Sequence, residues 1–419
     1  MPAPVAHVLG TPRFRDTRYR SGDGLLMTDD SVRRKSEGRS SRARAIAVWK
    51  TARVNRSSVN IDEVSGDEEL GEFCLFADQV NSARSVYWPA IPDMQLPLLK
   101  GEGPGAVGRQ ALPLVARSEG KIVARATAVL DQRYIDHWDE PLGHVVMFEA
   151  LPDTTQAVRA LLNEACGWLK GHRLEAVRTG MGPAFDLPYL LDSYDVLPPI
   201  STRQNPSYYH SLLKEARFEA EKGWVDYKIE VTAELIQRWE HMVRAAESAG
   251  IRAATLSELD DQTRVSHFAS VWEEAFARHW GVSPQSEEEW EELFAFIGPM
   301  GAYDMSVIAY EDEEPVGAVL GIPDLSMLAI RASGRELRPD ERLNMLGIGV
   351  REVARGRGVN LAIAARSYLE HVKRGNTHLS YTMVLDDNWP SRRTAEKLGA
   401  RVCANYLVYR RSTATRSAF

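Results

Sequence analysis

The stretch LGIGVREVARGRGVNL, residues 346–361, decides the fold of this 419-residue chain. Its apolar opening reads as the end of a buried strand, 342–350, and the residues after 358 carry helical periodicity to 374. Between them lies the turn Arg355, Gly356, Arg357, Gly358. The first amides of a helix have no intrahelical acceptor and sit at the positive end of its dipole. Glycines beside them let a phosphate or pyrophosphate approach the backbone. Taken by itself, the turn reads equally as a flexible glycine-arginine loop.

Downstream stand Asp387-Asn388-Trp389-Pro390-Ser391 and Glu396-Lys397-Leu398-Gly399-Ala400. Together these segments resemble the two signatures of the GNAT N-acyltransferase superfamily. The first is the pyrophosphate loop, matched by Arg355, Gly356, Arg357, Gly358, Val359 and Asn360, with Asn at a position usually Gly or Ala. The second is an Asn after the fifth strand, followed by a helix ending in Glu-Lys-Leu-Gly-Phe, with Ala400 for Phe. Trp88-Pro89 and Asn205-Pro206-Ser207-Tyr208-Tyr209 extend the resemblance to bacterial tandem members with a degenerate first half, over roughly 60–411. It is less faithful at 186–195, which lacks a glycine-rich run, and at 324–340, where the insertion is shorter.

The resemblance implies a mixed α/β (α+β) fold of two tandem GNAT units, each a twisted, mostly antiparallel sheet flanked by helices. It implies acyl-CoA, acetyl or longer, as co-substrate, no metal, and a primary amine of a small molecule or peptide as acceptor, attacking directly in a ternary complex. It places the thioester at Ile348, Gly349 and Val350, the pyrophosphate at 355–360, and a hydrogen bond to cofactor or ordered water at Asn388.

Periodicity outlines the rest. In the first half, 68–84 reads as a helix, 87–97 as a proline-punctuated loop, 111–117 and 121–129 as a hairpin, and 144–150 as a strand. A helix at 154–170, a strand at 176–179, a loop to 206, a helix at 207–216 and a strand at 225–231 follow. Residues 232–249 read as a connecting helix. From 251 a similar order repeats: strand 251–256, helices 260–280 and 287–296, hairpin 306–310/315–322, strand 342–350, helix 358–374, strand 377–385, helix 390–398, and 402–410 closing the sheet. The expected domains are a basic tail, 1–55; a degenerate GNAT-like domain, 56–231; a connector, 232–250; the acyl-CoA-binding domain, 251–411; and a tail, 412–419. Where the second half has its glycine turn, the first has Leu151-Pro152-Asp153-Thr154-Thr155, with a carboxylate where a pyrophosphate would sit. Only the second half is therefore expected to bind the thioester.

Residues 1–55 hold 12 Lys and Arg against 5 Asp and Glu, a net of +7, so the remainder carries −14 of the total −7. An acidic body argues against a nucleic-acid binder. The tail reads as a solvated leader, or as a dock for an acidic acyl carrier protein. No run approaches the roughly 18 apolar residues of a membrane helix. Three well-separated cysteines argue against a disulfide scaffold and favour a reducing, cytoplasmic setting.

Attack on a thioester needs a neutral amine, yet an alkylamine has a pKa near 10.4, so a base must take a proton. The usual acid of the superfamily, a Tyr just before the Glu-Lys-Leu-Gly run, is Ala395 here. Ser391, Tyr381 and Tyr406 are substitutes by location. The fourth strand offers no carboxylate, leaving Glu273, Glu274 and Asp386 as base candidates and His279 as a packing histidine or a base. The Trp-rich stretch 272–290 reads as core or as an acyl tunnel, so acyl length stays open. Two further readings stand beside the leading one: a long-chain acyltransferase using acyl-CoA or acyl carrier protein, and a CoA-binding protein without turnover.

Overall fold

The computed structural model describes residues 59–414 apart from positions 185 and 201; the expected basic tail and the end of the 412–419 tail lie outside the described residues. The first half runs β1 (Asn60–Glu63), α1 (Asp67–Asn81), α2 (Pro92–Lys100), β2 (Arg109–Ser118), β3 (Lys121–Asp131), α3 (Gln132–Trp138), β4 (Leu142–Ala150), α4 (Thr155–Gly171), β5 (Ala176–Thr179), β6 (Tyr189–Leu190), α5 (Tyr209–Glu215) and β7 (Glu219–Glu230). The second runs α6 (Ala233–Ser248), β8 (Ile251–Thr255), α7 (Asp261–Phe276), α8 (Glu287–Ile297), α9 (Ala302–Met305), β9 (Val307–Glu311), β10 (Glu314–Ile322), β11 (Met345–Val350), α10 (Val359–Lys373), β12 (His378–Leu385), α11 (Trp389–Lys397) and β13 (Arg401–Ser412).

Local chemistry explains most boundaries. Both hairpins turn on two residues with positive φ, Glu119-Gly120 and Asp312-Glu313, the geometry that matches strand twist. Thr232, Asp260, Ser286 and Asn388 each cap the helix that follows with a side-chain oxygen. Two expectations need correction. The proline-rich 87–97 is not all loop, because Pro92 starts α2, where its fixed φ suits a first turn and its missing N–H costs nothing. The helix expected to reach 280 stops at Phe276, leaving 277–286 as a loop.

One sheet has the order β1-β2-β3-β4-β5-β13-β7-β12, with β6 beside β13; the other is β11-β10-β9-β8. The last strand therefore does not close a sheet of its own half. It runs antiparallel to β5 on one side and β7 on the other. β7 in turn pairs antiparallel with β12. Each half lends the other a strand, and one core lies between α4 and β2–β4, another between α6, α10 and the β7–β12 ladder.

Candidate active site

β11 and β12 lie side by side without a backbone ladder between them among the described residues. Side chains hold one end shut. Asn344 Oδ1 accepts from Ser380 N at 2.7 Å, and Thr382 Oγ1 accepts from Leu346 N at 3.4 Å and donates to Leu346 O at 3.1 Å. The strands part beyond that point. Leu346 N points to β12, while Arg351 N bonds Val316 O of the β10 side at 2.9 Å. The two-residue period of a strand then aims the amides of Ile348 and Val350 into the gap, where no β12 carbonyl meets them. At the facing position β12 bulges: Met383 has φ 59, and the pairing with β7 shifts register between Tyr381 and Val384.

β11 leads, through one short turn, into the glycine turn. Gly356 and Gly358 have φ of 79 and 81, values that a residue with a Cβ adopts only under strain. Among the described residues, the amides from Gly356 to Asn360 find no acceptor. α10 begins there without a side-chain cap and without an acidic residue in its first turn. Five free amides at the positive end of a 15-residue helix form an anion cradle. Arg355 braces it, donating from Nε to Val350 O at 3.1 Å and from Nη2 to Ala275 O at 3.2 Å. Two side chains of the loop turn elsewhere: Arg357 forms a bidentate pair with Glu311, which holds that carboxyl below its ordinary value, and Asn360 Nδ2 bonds Thr394 Oγ1 of α11 at 2.7 Å.

The candidate catalytic residues divide. Tyr381 and Ser391 meet, hydroxyl to hydroxyl, at 2.8 Å, and Asn388 Oδ1 caps α11 by accepting from Ser391 N at 3.2 Å. Burial pushes the Tyr381 phenol up to about 12, so it stays protonated at neutral pH and can donate. Glu274 is not with them; its carboxylate pairs with Arg351 Nε at 3.1 Å on the exposed side of α7. Glu273 is raised by burial and held by Trp290 Nε1 at 3.3 Å and Gln285 N at 3.2 Å. Burial pushes His279 down to about 4, leaving it neutral.

The opposite face of the gap is closed by aromatic rings. A Cβ on Gly347 would come within 2.9 Å of Trp272, and one on Gly349 within 2.9 Å of Phe276. The Phe268 and Trp272 rings stack, and Trp290 and Phe294 meet Phe268 edge-on, so the Trp-rich stretch packs as core. Beyond it, loop 277–286 is pinned to the first half. His137 Nε2 bonds Ala277 O at 2.6 Å, Trp138 Nε1 bonds Val282 O at 2.8 Å, and Ser283 Oγ bonds Asp131 Oδ2 at 2.8 Å. The Trp280 ring lies under the Arg178 guanidinium at 4.4 Å.

In the first half the equivalent gap is shut. β4 and β5 form a parallel ladder from Leu142–Val145 to Ala176–Thr179, and the amides beyond it are taken by Asp186, from Met147 N at 3.2 Å and Gly180 N at 2.8 Å. Arg203 lies on Tyr189 and locks Asp186 at 2.9 Å and Phe148 O at 2.6 Å. Sequence reasoning missed Asn344 and Thr382 as the clasp of the gap. It also missed Asp226, a carboxylate inside the apolar strand Trp224-Val225-Asp226-Tyr227, whose polarity within that run was the available signal.

No family model matches the chain. Over 228 residues it is 24% identical to Protein YghO of Escherichia coli (strain K12), a match taking 51% of this chain and 55% of that protein, so the chain spans little more than half the length of the curated relative it matches. Among solved structures it is similar to a tandem GNAT protein from the clavulanic acid biosynthesis pathway, 12% identical, with a TM-score of 0.52 over 86% of this chain and 100% of that one. It is also similar to a GCN5-related glucosamine N-acetyltransferase region of a fungal multi-domain GH3 β-N-acetylglucosaminidase, 13% identical, TM-score 0.52, over 85% and 38% of the two chains. At these identities the likeness speaks for architecture alone, and that architecture is the mixed α/β GNAT fold, in tandem.

Proposed function

We propose that the chain is an N-acyltransferase that moves an acyl group from acyl-CoA to a primary amine by direct attack in a ternary complex, with cofactor bound by its second half. The observation that carries this reading is a conjunction on one short stretch of chain: a β11 that forms no ladder with β12, followed at once by the free amides of the Gly356–Gly358 turn. The turn suits a pyrophosphate, and the gap admits a narrow pantetheine arm. The amides of Ile348 and Val350 would stabilise the oxyanion that develops on the thioester oxygen. The Tyr381–Ser391 pair can protonate the departing thiolate. The shut first-half gap fits a single cofactor site, and the first half would instead shape the acceptor site through loop 277–286. Trp272 and Phe276, packed on Gly347 and Gly349, favour a short acyl group.

Native mass spectrometry with separate acyl-CoAs from acetyl to palmitoyl tests the reading. Retention of acetyl-CoA, lost in Arg355→Glu, is the expected outcome. Undiminished binding in that variant would place the phosphate elsewhere. Retention of long-chain species alone would overturn the short-acyl assignment.

A further inference from the structure

β11 carries no carboxylate, but the strand beside its partner does. Along β7, Val225, Tyr227 and Ile229 enter the core shared with α6 and α10, while Trp224, Asp226 and Lys228 alternate to the other face, that of loop 277–286. Lys228 is paired there with Asp340 at 2.7 Å. Asp226 is 0% exposed, and its Oδ1 accepts from Met383 N at 2.7 Å. Its Oδ2 has no hydrogen-bond partner. The neighbouring Tyr406 hydroxyl is equally buried and also without one. Leaving a buried carboxylate oxygen unsatisfied is costly, so such an atom calls for a reason. Its place supplies one. Met383 is the first residue of β12 beyond Thr382, the last clasp between β11 and β12, so Asp226 is bonded to the residue at which the strands part.

We infer that Asp226, on the strand that the first half lends to the second, is the group on which the proton released by the acceptor amine comes to rest. The inference rests on the acyl transfer proposed above. The ammonium gives one proton to Asp226 Oδ2. The freed nitrogen lone pair forms the N–C bond at the thioester carbon, and the C–S bond breaks. The Tyr381–Ser391 pair gives a proton to the departing thiolate, making CoA thiol, and is refilled by the remaining surplus N–H proton, while Asp226 returns its proton to solvent. The groups facing Asp226 are Tyr406 and Cys403 of β13, the latter donating from Sγ to Asp226 O at 3.5 Å, with Thr202 beyond Tyr406. Lys228, Asp192 and Asp340 act on Cys403. Burial lifts the Asp226 carboxyl to about 6, countered by its bond from Met383 N and by the Tyr406 hydroxyl nearby. A base of that kind is ionised at neutral pH and better matched to an amine than an ordinary carboxylate.

The test is Asp226→Asn in the full chain, with acetyl-CoA and a panel of primary alkyl- and arylalkylamines, thiol release being corrected for the amine-free rate. Asn keeps an oxygen for Met383 N but cannot take a proton. The expected result is an acetyl-CoA Kd and melting temperature close to those of the unaltered chain. kcat should be about 100-fold lower near pH 7, with the acid limb near pH 6 gone and the deficit shrinking toward the amine pKa, where free amine forms unaided. A kcat lowered equally at every pH, or weakened acetyl-CoA binding, would make Asp226 a support of the bulge and nothing more. An unchanged kcat and pH profile would also overturn the inference while leaving the acyltransferase reading intact. If the unaltered chain binds acetyl-CoA but acylates no amine, or binds none, the reading beneath the inference fails with it.

Discussion

Glu289 is the side chain whose removal should most clearly uncouple acceptor binding from cofactor binding. It sits 9% exposed at the start of α8, accepting from Arg109 Nη1 at 3.0 Å and from Arg133 Nη2 at 3.2 Å, both first-half residues. Its Oε2 also accepts from Ser286 N at 2.8 Å, the return bond of a reciprocal cap. Breaking a fully buried pair costs about 3–5 kcal/mol because a charge is stranded. In Glu289→Ala, Arg109 keeps Asp131 at 2.9 Å and Arg133 is 20% exposed, so the electrostatic loss falls to about 2 kcal/mol. The lost cap adds about 1 kcal/mol. Urea unfolding should therefore show a loss of about 3 kcal/mol, against less than about 0.5 kcal/mol for the exposed control Glu291→Ala. Because Glu289 anchors loop 277–286 and not the Gly356–Gly358 turn, acceptor KM should rise several-fold while acyl-CoA Kd holds. A loss below about 1 kcal/mol, or an acyl-CoA Kd that moves as much as the acceptor KM, refutes this account of the clamp.

Gly358→Val should weaken CoA binding by more than tenfold in calorimetric titration while costing about 1–3 kcal/mol in unfolding, because φ of 81 strains a β-branched residue at the cradle itself. Burial lowers several histidines, among them His144 and His279, to about 4, and His371, to about 3. Between those values and about 6.5 the unfolded chain binds more protons than the folded one, so stability is whole above about pH 6.5 and falls as pH drops. At pH 5 each of these three histidines contributes about 2 kcal/mol of that fall, and His371→Phe should remove its share from the difference between urea midpoints at pH 5 and pH 7.5. Asp226 works with the opposite sign, since its raised carboxyl gains stability as pH falls through about 6.

What the sequence made legible is what short-range chemistry dictates. The Gly356–Gly358 turn and the hairpin at Glu119-Gly120 are written in consecutive residues, and the backbone there obeys them. The clasp of the gap depends on Asn344 reaching Ser380 and Thr382 reaching Leu346, contacts 36 residues apart that no local pattern announces. Glu274 looked usable because it lies on the helix expected beside the acceptor; which way a helical side chain turns is set by what it packs on, and Arg351 drew it outward. Asp226 escaped notice because strand patterning marks burial, not which buried polar atom lacks a partner.

The exchange of strands ties these facts to stability. β13 hydrogen-bonds from Tyr409 to Ser412 with β5 and along most of its length with β7, yet it is the last strand of the second half. Tyr406, Val408 and Tyr409 are 1%, 0% and 4% exposed within it. At about 1.5–3 kcal/mol for each such side chain, they supply on the order of 5–8 kcal/mol, as much as the whole net stability of many proteins. Loss of β13 would also bare the edges of β5 and β7, strands encoded in the first half. The halves should therefore melt as one unit. Calorimetry on the intact chain is expected to show a single transition, and a chain ending at Gly399 is expected to show neither half folded. Two resolved transitions, or a first half that keeps its melting temperature without β13, would mean that the shared strands do not couple the halves.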